Sequence, residues 1–342
     1  MTTILEYVWI GGNDELYSKT KIINKIWLDE YPIWNFDGSS CNMNVSTEKS
    51  DIILKPVRCY KNPFIQEQNH IESYLILCET YMTDKETPHE TNHRKNCEKI
   101  FNETIEDEIL CGIEQEIALT NKDGTPYAWT RLDKPFNNVN EQNGYCGVGA
   151  EKIFKDSRKF YNKVMEYCIK AKIHLYGCNF EVANSSMEFV IGTCDIMNTA
   201  DDLIMLRYIL KRTSEEFENL YVSLHPKPFG PLFNGSGCHI SMSNKYIRET
   251  TDNSEIIKCC EKIGKHHNEY FYSFGDDENK KRLSGEYETA SYKEFSYGES
   301  NRKSTIRIPI DARYFEFRFP ASNLNPYKGL ATLAEIINTK NT

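Results

Sequence analysis

A repeated parity in the strand-like segments constrains this chain most. Successive side chains on a β-strand face opposite ways, so residues i and i+2 share a face. In the segment Ile113-Glu114-Gln115-Glu116-Ile117, Ile113, Ile117 and Leu119 take one face, and Glu114 and Glu116 share the other. Glu181 opposes Phe180 and Val182, and Glu188 opposes Met187 and Phe189. In Cys238 to Ser243, the apolar Cys238, Ile240 and Met242 alternate with His239, Ser241 and Ser243. In Tyr314 to Phe319, Phe315, Phe317 and Phe319 point one way, and Glu316 and Arg318 the other.

Each segment therefore has one greasy face and one carrying carboxylate, imidazole or guanidinium. One such segment is an ordinary antiparallel strand with a solvated face. Several together, with the polar positions selectively acid or His, point to faces that converge on a concave, charged cavity. Carboxylates gathered there repel each other and hold their protons unless cations neutralise them. An oxygen-rich set with one imidazole suits Mg²⁺ or Mn²⁺ better than Zn²⁺. Cations follow in a short C-terminal stretch: Lys281-Arg282, Arg302-Lys303, Arg307 and Arg318. Arg307 sits between Ile306 and Ile308, a poor place for an idle surface charge. Arginines beside a carboxylate-metal site match nucleotide phosphates and substrate carboxylates.

Composition narrows the alternatives. A length of 342 residues allows about two domains. The net charge of -9 argues against a general nucleic-acid binder and a polybasic membrane-surface protein. No run approaches ~18 apolar residues, and Met1 to Glu6 has neither a basic nor an apolar leader region, so a cytoplasmic location is expected. The 12 cysteines form no C-x-x-C pair and read as reduced thiols filling the core. There is no P-loop. The stretch Gly144 to Gly149 is loosely Rossmann-like but follows no strand signal, and His266-His267 reads as packing or surface.

Along the chain, Ile4 to Ile10 and Ser73 to Cys78 read as strands, with turn chemistry at Asp37-Gly38-Ser39-Ser40 between them. Little before residue 90 looks helical, so a small β-rich domain is expected there, joined onward by a polar segment from Thr83 to Asn96. Helical spacing follows over 157–172 with Asp156 as cap, over 200–218 after a Thr-Ala-Asp-Asp start, and over 254–272 with Ser254 as cap. Interleaved helices and half-polar strands imply an α+β fold rather than a doubly wound sheet.

Taken in order, LEYVWI, WNFDGSS, SDIILKP, TNHRKNC, GIEQEIAL, GYCGVGAEK, GCNFEVANSSMEF, LHPKPF, NGSGCHISMS, RLSGEYET, NRKSTIRIP and YFEFRFPASN resemble the eukaryote-type (class II) glutamine synthetase family along nearly the whole chain. The resemblance implies a small N-terminal β-grasp domain over 1–92. After it comes a catalytic domain over 93–342, built on an antiparallel β funnel with flanking helices. It implies ATP-dependent joining of ammonia to L-glutamate through γ-glutamyl phosphate, in rings of stacked pentamers, with at least two Mg²⁺ or Mn²⁺ ions per site. Carried over by motif, Glu116, Glu181 and Glu188 correspond to ligands of one ion, and Glu114, His239 and Glu316 to those of the other. Arg302 and Arg307 correspond to phosphate and ATP contacts. Glu114, Glu188, Trp129, Ser241, Ser243 and Tyr314 fall at further nucleotide-binding positions. Arg282, Arg302, Arg318, Asn234 and Gly235 correspond to the glutamate site. Asp37 corresponds to the carboxylate that binds ammonium across a subunit interface, and Glu288 to the flap residue. The family usually has Glu-Asp-Arg-Arg-Pro where this chain has Glu316-Phe317-Arg318-Phe319-Pro320. Two alternatives remain open on the residues alone: a ligase joining glutamate to a larger amine, and a non-catalytic structural or regulatory relative.

Overall fold

The computed structural model describes residues 2–24, 30–66, 70–127, 144–149, 153–183 and 185–338. The chain opens with five strands: β1 (Thr2–Ile10), β2 (Leu16–Ile23), β3 (Trp34–Asp37), β4 (Asp51–Lys61) and β5 (Ile71–Tyr81). They form one sheet in the order β2-β1-β5-β4-β3. Only the central β1–β5 pair is parallel. One face packs Leu5, Tyr7, Trp9, Phe36, Ile52 and Leu54 into a small core of its own. The opposite face sends Val8, Tyr60, Leu75 and Leu77 into the main core. Strand parity thus glues the N-terminal sheet to the rest of the molecule.

The second sheet contains β6 (Leu110–Thr120), β7 (Leu175–Phe180), β8 (Ser186–Cys194), β9 (Tyr221–Ser223), β10 (Cys238–Ser243), β11 (Tyr297–Glu299), β12 (Ile306–Ile308) and β13 (Phe315–Phe317). Its order is β11-β12-β13-β10-β6-β8-β7, with β9 paired to β6. Helices cover its apolar face. Of these, α1 (His93–Glu103), α2 (Lys155–Ala171), α3 (Ile196–Ser214), α5 (Ser254–Lys265) and α7 (Pro326–Ile337) are the long ones. Two short helices, α4 (Lys245–Glu249) and α6 (Asn279–Arg282), complete the set among the described residues. The α+β reading holds.

Helix boundaries differ from the sequence expectation for local reasons. The second helix begins at Lys155, with Asp156 in its first turn rather than at the cap. The third begins at Ile196, because the Asp195 carboxylate accepts from Asn198 N. The Thr-Ala-Asp-Asp run read as its start lies buried inside it. The fifth stops at Lys265, and Ser254 is its first residue. Two of the long helices escaped the reading, as did the short α4 and α6. The first takes His93 to Asn96 out of the expected linker, capped by Asn92. The last has the cap Asn325, whose side chain accepts from Tyr327 N and Lys328 N, and a proline in its first turn.

Polar chemistry reinforces the seam between the sheets. Asp201 of α3 is buried and accepts from Arg94 Nε and Nη2 (2.9 Å each) and from Tyr327 Oη (2.7 Å). Arg94 also donates to Glu79 of β5 (2.9 Å). Next to it, Asp202 accepts from Tyr60 Oη (2.8 Å) and pairs with Arg58 (2.9 Å), both on β4. Breaking a buried pair leaves a charge without its partner, at a cost of about 3 kcal/mol. Asp201→Ala should lower the free energy of unfolding by about that amount in urea titration, while Lys95→Ala, an exposed pair, should change it by less than about 1 kcal/mol.

Candidate active site

Cross-strand register builds the site. Glu116 of β6 lies directly opposite Glu188 of β8. Glu114 lies opposite His239 of β10. Ser241 faces Glu316 of β13, and Glu316 faces Arg307 of β12. Beneath this ladder Ile113, Ile117, Met187, Phe189, Cys238, Ile240 and Met242 are buried in the main core. The expected split of faces is therefore present on every one of these strands.

The charged face bounds a cavity of about 300 Å³. Glu114, Glu116, Glu181, Glu188, His239 and Glu316 line it together with Glu288, Arg302, Arg307 and Arg318. A smaller recess shares Glu116, Glu181, His239, Glu288 and Arg318 with it, and adds Asn234, Gly235 and Arg282. Two groups of donor atoms lie within 4.8 Å of one another: Glu114, His239 and Glu316, and Glu116, Glu188 and His239. Glu181 is in the same cavity, but Asn179 Nδ2 holds its carboxylate at 2.8 Å. His239 stands between the groups, with Nδ1 3.4 Å from Glu114 and Nε2 3.8 Å from Glu116.

The electrostatics are those of a cation site. Burial, reinforced by Glu114, Glu116 and Glu181, pushes the Glu188 carboxyl up to about 10. Burial and Glu116 push Glu181 up to about 8. Burial also raises Glu114 despite the nearby Arg318, Arg302 and Arg307. His239 is pulled down to about 4, mainly by burial, so its imidazole is neutral near pH 7 and free to act as a ligand. Carboxylates and one neutral imidazole in this crowding fit hard divalent cations such as Mg²⁺ or Mn²⁺.

Arg282, Arg307 and Arg318 are already engaged. Arg307 Nη1 and Arg318 Nη1 donate to the two different oxygens of Glu316. The Nε atoms of Arg307 and Arg318 are buried without a partner among the described residues. Arg282 Nε donates to Asn279, and its Nη2 donates to the carbonyls of Arg318, Phe319 and Pro320 (2.7 to 3.1 Å). This guanidinium therefore fixes the Arg318 segment as well as facing the recess. Close approach depends on glycine: a Cβ on Gly237 would stand 2.6 Å from His239 Nε2, and Gly237 N donates to Glu116 Oε2 at 2.6 Å. Tyr287 and Glu288 both have positive φ, 53° and 61°, a strained arrangement for non-glycine residues.

Comparison with known proteins decides the family. The profile for the glutamine synthetase catalytic domain matches residues 91–336. Glutamine synthetase of Candida glabrata is 39% identical over 341 residues, 98% of this chain and 88% of the relative. The chain belongs to the glutamine synthetase family. The Saccharomyces cerevisiae glutamine synthetase is 38% identical, covering 98% of this chain and 89% of its own. A putative glutamine synthetase of Acanthamoeba polyphaga mimivirus is 35% identical, covering 98% and 94%. In fold, the chain superposes on Plasmodium falciparum glutamine synthetase with a TM-score of 0.76 at 20% identity, covering 98% of this chain and 71% of that one.

Against this glutamine synthetase frame, other expected residues fall in several places. Asp37 is exposed on the N-terminal sheet and lines neither recess of its own chain. Hydrogen bonds from Ser39 and Ser40 hold its carboxyl down at about 2. Ser241, Ser243 and Tyr314 line neither recess; Ser243 Oγ instead accepts from Arg248. Tyr314 does feel Glu114 and Glu316, which help raise its hydroxyl. Trp129 lies outside the described residues. The departures Phe317 and Phe319 are buried and stack at 5.8 Å, with Phe274 edge-on to Phe317 and Phe271 edge-on to Phe319. Aromatic packing thus anchors the two sides of Arg318.

Residues at and beside the cavities escaped the sequence reading. Tyr145, in the glycine-rich stretch, lines the charged cavity. Gly144 N donates to Val182 O and Cys146 N to Phe180 O, clamping that loop beside Glu181. Lys227 is buried beside Tyr287, and burial pulls its ammonium down to about 8. The Leu-His-Pro-Lys-Pro-Phe motif was its available signal.

The pH dependence of folding follows in sign. Raised carboxyl pKa values mean that the native chain keeps protons an unfolded chain releases above about 4.3. Stability from these groups is therefore present below that value and falls as pH climbs toward about 8 for Glu181 and about 10 for Glu188. Metal-free protein should lose thermal stability between about pH 5 and pH 9, and saturating Mg²⁺ should reduce the loss. Differential scanning fluorimetry across pH, with Glu188→Gln as a flattened control, checks this.

Proposed function

We propose that this chain catalyses ATP-dependent ligation of ammonia to L-glutamate, giving L-glutamine, ADP and phosphate. The observation that carries the reading is the ladder of opposed carboxylates meeting Arg302, Arg307 and Arg318 in one cavity of a glutamine synthetase family member. In this reading Glu116, Glu181 and Glu188 hold one divalent cation, and Glu114, His239 and Glu316 another. Bound there, Mg²⁺ or Mn²⁺ would supply positive charge that neutralises the phosphoryl group being transferred.

The chain's own groups do the rest. Arg302 and Arg307 bind the phosphates of ATP, at whose nucleotide end Trp129, Ser241, Ser243 and Tyr314 belong. Arg282, Arg318 and the Asn234-Gly235 backbone orient glutamate so that its γ-carboxylate attacks the γ-phosphorus and ADP leaves. Glu288 closes over the γ-glutamyl phosphate and keeps out water, which would hydrolyse it. Ammonia then displaces phosphate at the γ-carbon. Asp37, an anion held by two serine hydroxyls, binds the ammonium and takes up its proton. Its absence from its own chain's cavity lining supports presentation to a neighbouring copy. We therefore read the enzyme as a ring homo-oligomer of stacked pentamers, with a small domain over 1–92 and a catalytic domain over 93–342. All 12 cysteines are free, which supports a reducing, cytoplasmic setting. Among the described residues no helix is long and apolar enough to cross a membrane.

ATP-dependent hydroxamate formation with hydroxylamine tests the chemistry. Glu116→Ala should abolish turnover with the fold intact by circular dichroism. Arg302→Ala should lower kcat by roughly 10²–10³-fold, the usual loss for a preorganised charge donor. Turnover with larger amines as fast as with ammonia would instead favour a different γ-glutamyl ligase. Mixing inactive Asp37→Ala and Glu288→Ala subunits, after dissociation and reassembly, should restore part of the activity. No recovery from confirmed mixed rings would place Asp37 in its own chain's site.

A further inference from the structure

A second cavity, of about 390 Å³, lies between the β1–β2 hairpin, α3 and the start of α7. Among the described residues it shares no lining residue with the charged cavity or its recess. Its volume falls within the roughly 300–1,000 Å³ typical of small-molecule pockets. On its wall sits Arg207, only 6% exposed. The partners of this guanidinium are neutral: Gln115 Oε1 (2.8 Å), Leu324 O (2.6 Å), Ser322 O (2.9 Å) and the Cys238 thiol (3.9 Å). They leave one Nη1 hydrogen over. Among the described residues no carboxylate stands within ion-pair distance of it. Burying a cation without a counter-ion is costly, and an anion bound in the cavity relieves that cost.

Other groups on the wall define the anion. Lys211 of α3 and Lys328 of α7 add two ammonium groups without an ion-pair partner among the described residues. Asp14 and Asp276 supply the opposing charge, but neutral amides already occupy them: Asn325 Nδ2 donates to Asp14 (2.6 Å) and Asn323 Nδ2 to Asp276 (2.8 Å). Three cations against two carboxylates leave one positive charge over. Among the described residues, Asn323 Oδ1, in the same wall, is buried and has no donor. It needs an O–H or N–H from an occupant.

We propose that this cavity is a second small-molecule site, for a compact carboxylate that carries a hydroxyl or ammonium group beside the carboxylate. The carboxylate meets Arg207, Lys211 and Lys328, and the neighbouring donor meets Asn323 Oδ1. The occupant therefore rests on the back of the catalytic strand, because Arg207 also holds Gln115 between Glu114 and Glu116.

Isothermal titration calorimetry on the assembled full-length protein tests this with four probes: L-malate, L-serine, succinate and inorganic phosphate. L-malate or L-serine should bind, and succinate, which lacks the donor, about tenfold more weakly. Lys211→Glu and Lys328→Glu should each weaken binding about tenfold or more. Arg318→Ala, in the charged cavity, should leave it unchanged. Absence of binding to the unmodified protein overturns the proposal. So does binding that Arg318→Ala removes and Lys328→Glu spares, which would assign the probe to the charged cavity. Equal affinity for succinate or phosphate contradicts the pairing of a donor with Asn323.

Discussion

Like charges that face each other across a strand pair destabilise a sheet, and this sheet sets Glu116 against Glu188 in register. Much of the site's electrostatics follows from that placement. Both residues sit above a core that is tightly packed on the reverse side, so the strands cannot shift to separate them without moving Ile117, Met187 and Phe189 out of the interior. The repulsion is met instead in three ways. Protons stay on Glu188 and Glu181 to unusually high pH. Arg307 and Arg318 draw the Glu316 carboxylate to themselves. The remaining oxygens, with the neutral His239, lie close enough together to hold divalent cations.

The opposed faces were legible in the sequence because strand parity is local: alternation in Ile113 to Ile117 or Cys238 to Ser243 tells which residues share a surface. The α+β fold was legible for the same reason, together with the order of motifs. Partnerships between distant segments were not. Nothing local says that Glu316 is shared by two arginines, or that Arg282 spends Nη2 on three carbonyls of the segment carrying Arg318. The register opposing Glu116 to Glu188 is likewise a property of the sheet. The missed helices had readable signals at Asn92 and at Asn325-Pro326, but polar residues in the first and small ones in the second blunt their apolar stripes. The third helix was misplaced because its buried Asp201 and Asp202 look like a cap when they are a docking site for the N-terminal sheet.

That docking bears on function. Arg58, Tyr60, Glu79 and Arg94 fasten the small sheet to α3, so Asp37 is carried on a rigid body rather than on a tether. A carboxylate whose pKa is held at about 2 by Ser39 and Ser40 binds a cation well but is a weak base. In the proposed reaction, taking a proton from ammonium would call for a drier setting than the exposed surface where Asp37 stands in a single chain. In the proposed ring, assembly of copies would supply such a setting, and rigid docking would fix where each Asp37 is delivered.

Divalent-ion binding to the free protein tests the carboxylate ladder most directly. Mn²⁺ uptake, followed by electron paramagnetic resonance of the unbound ion, should reach two ions per chain, one for each group of donors. Glu188→Gln removes one side of the opposed pair and should weaken one of the two ions by about tenfold or more while sparing the other. Uptake by Glu188→Gln that matches the unmodified protein at both positions, or no uptake by the unmodified protein, would contradict a ladder held together by bound cations.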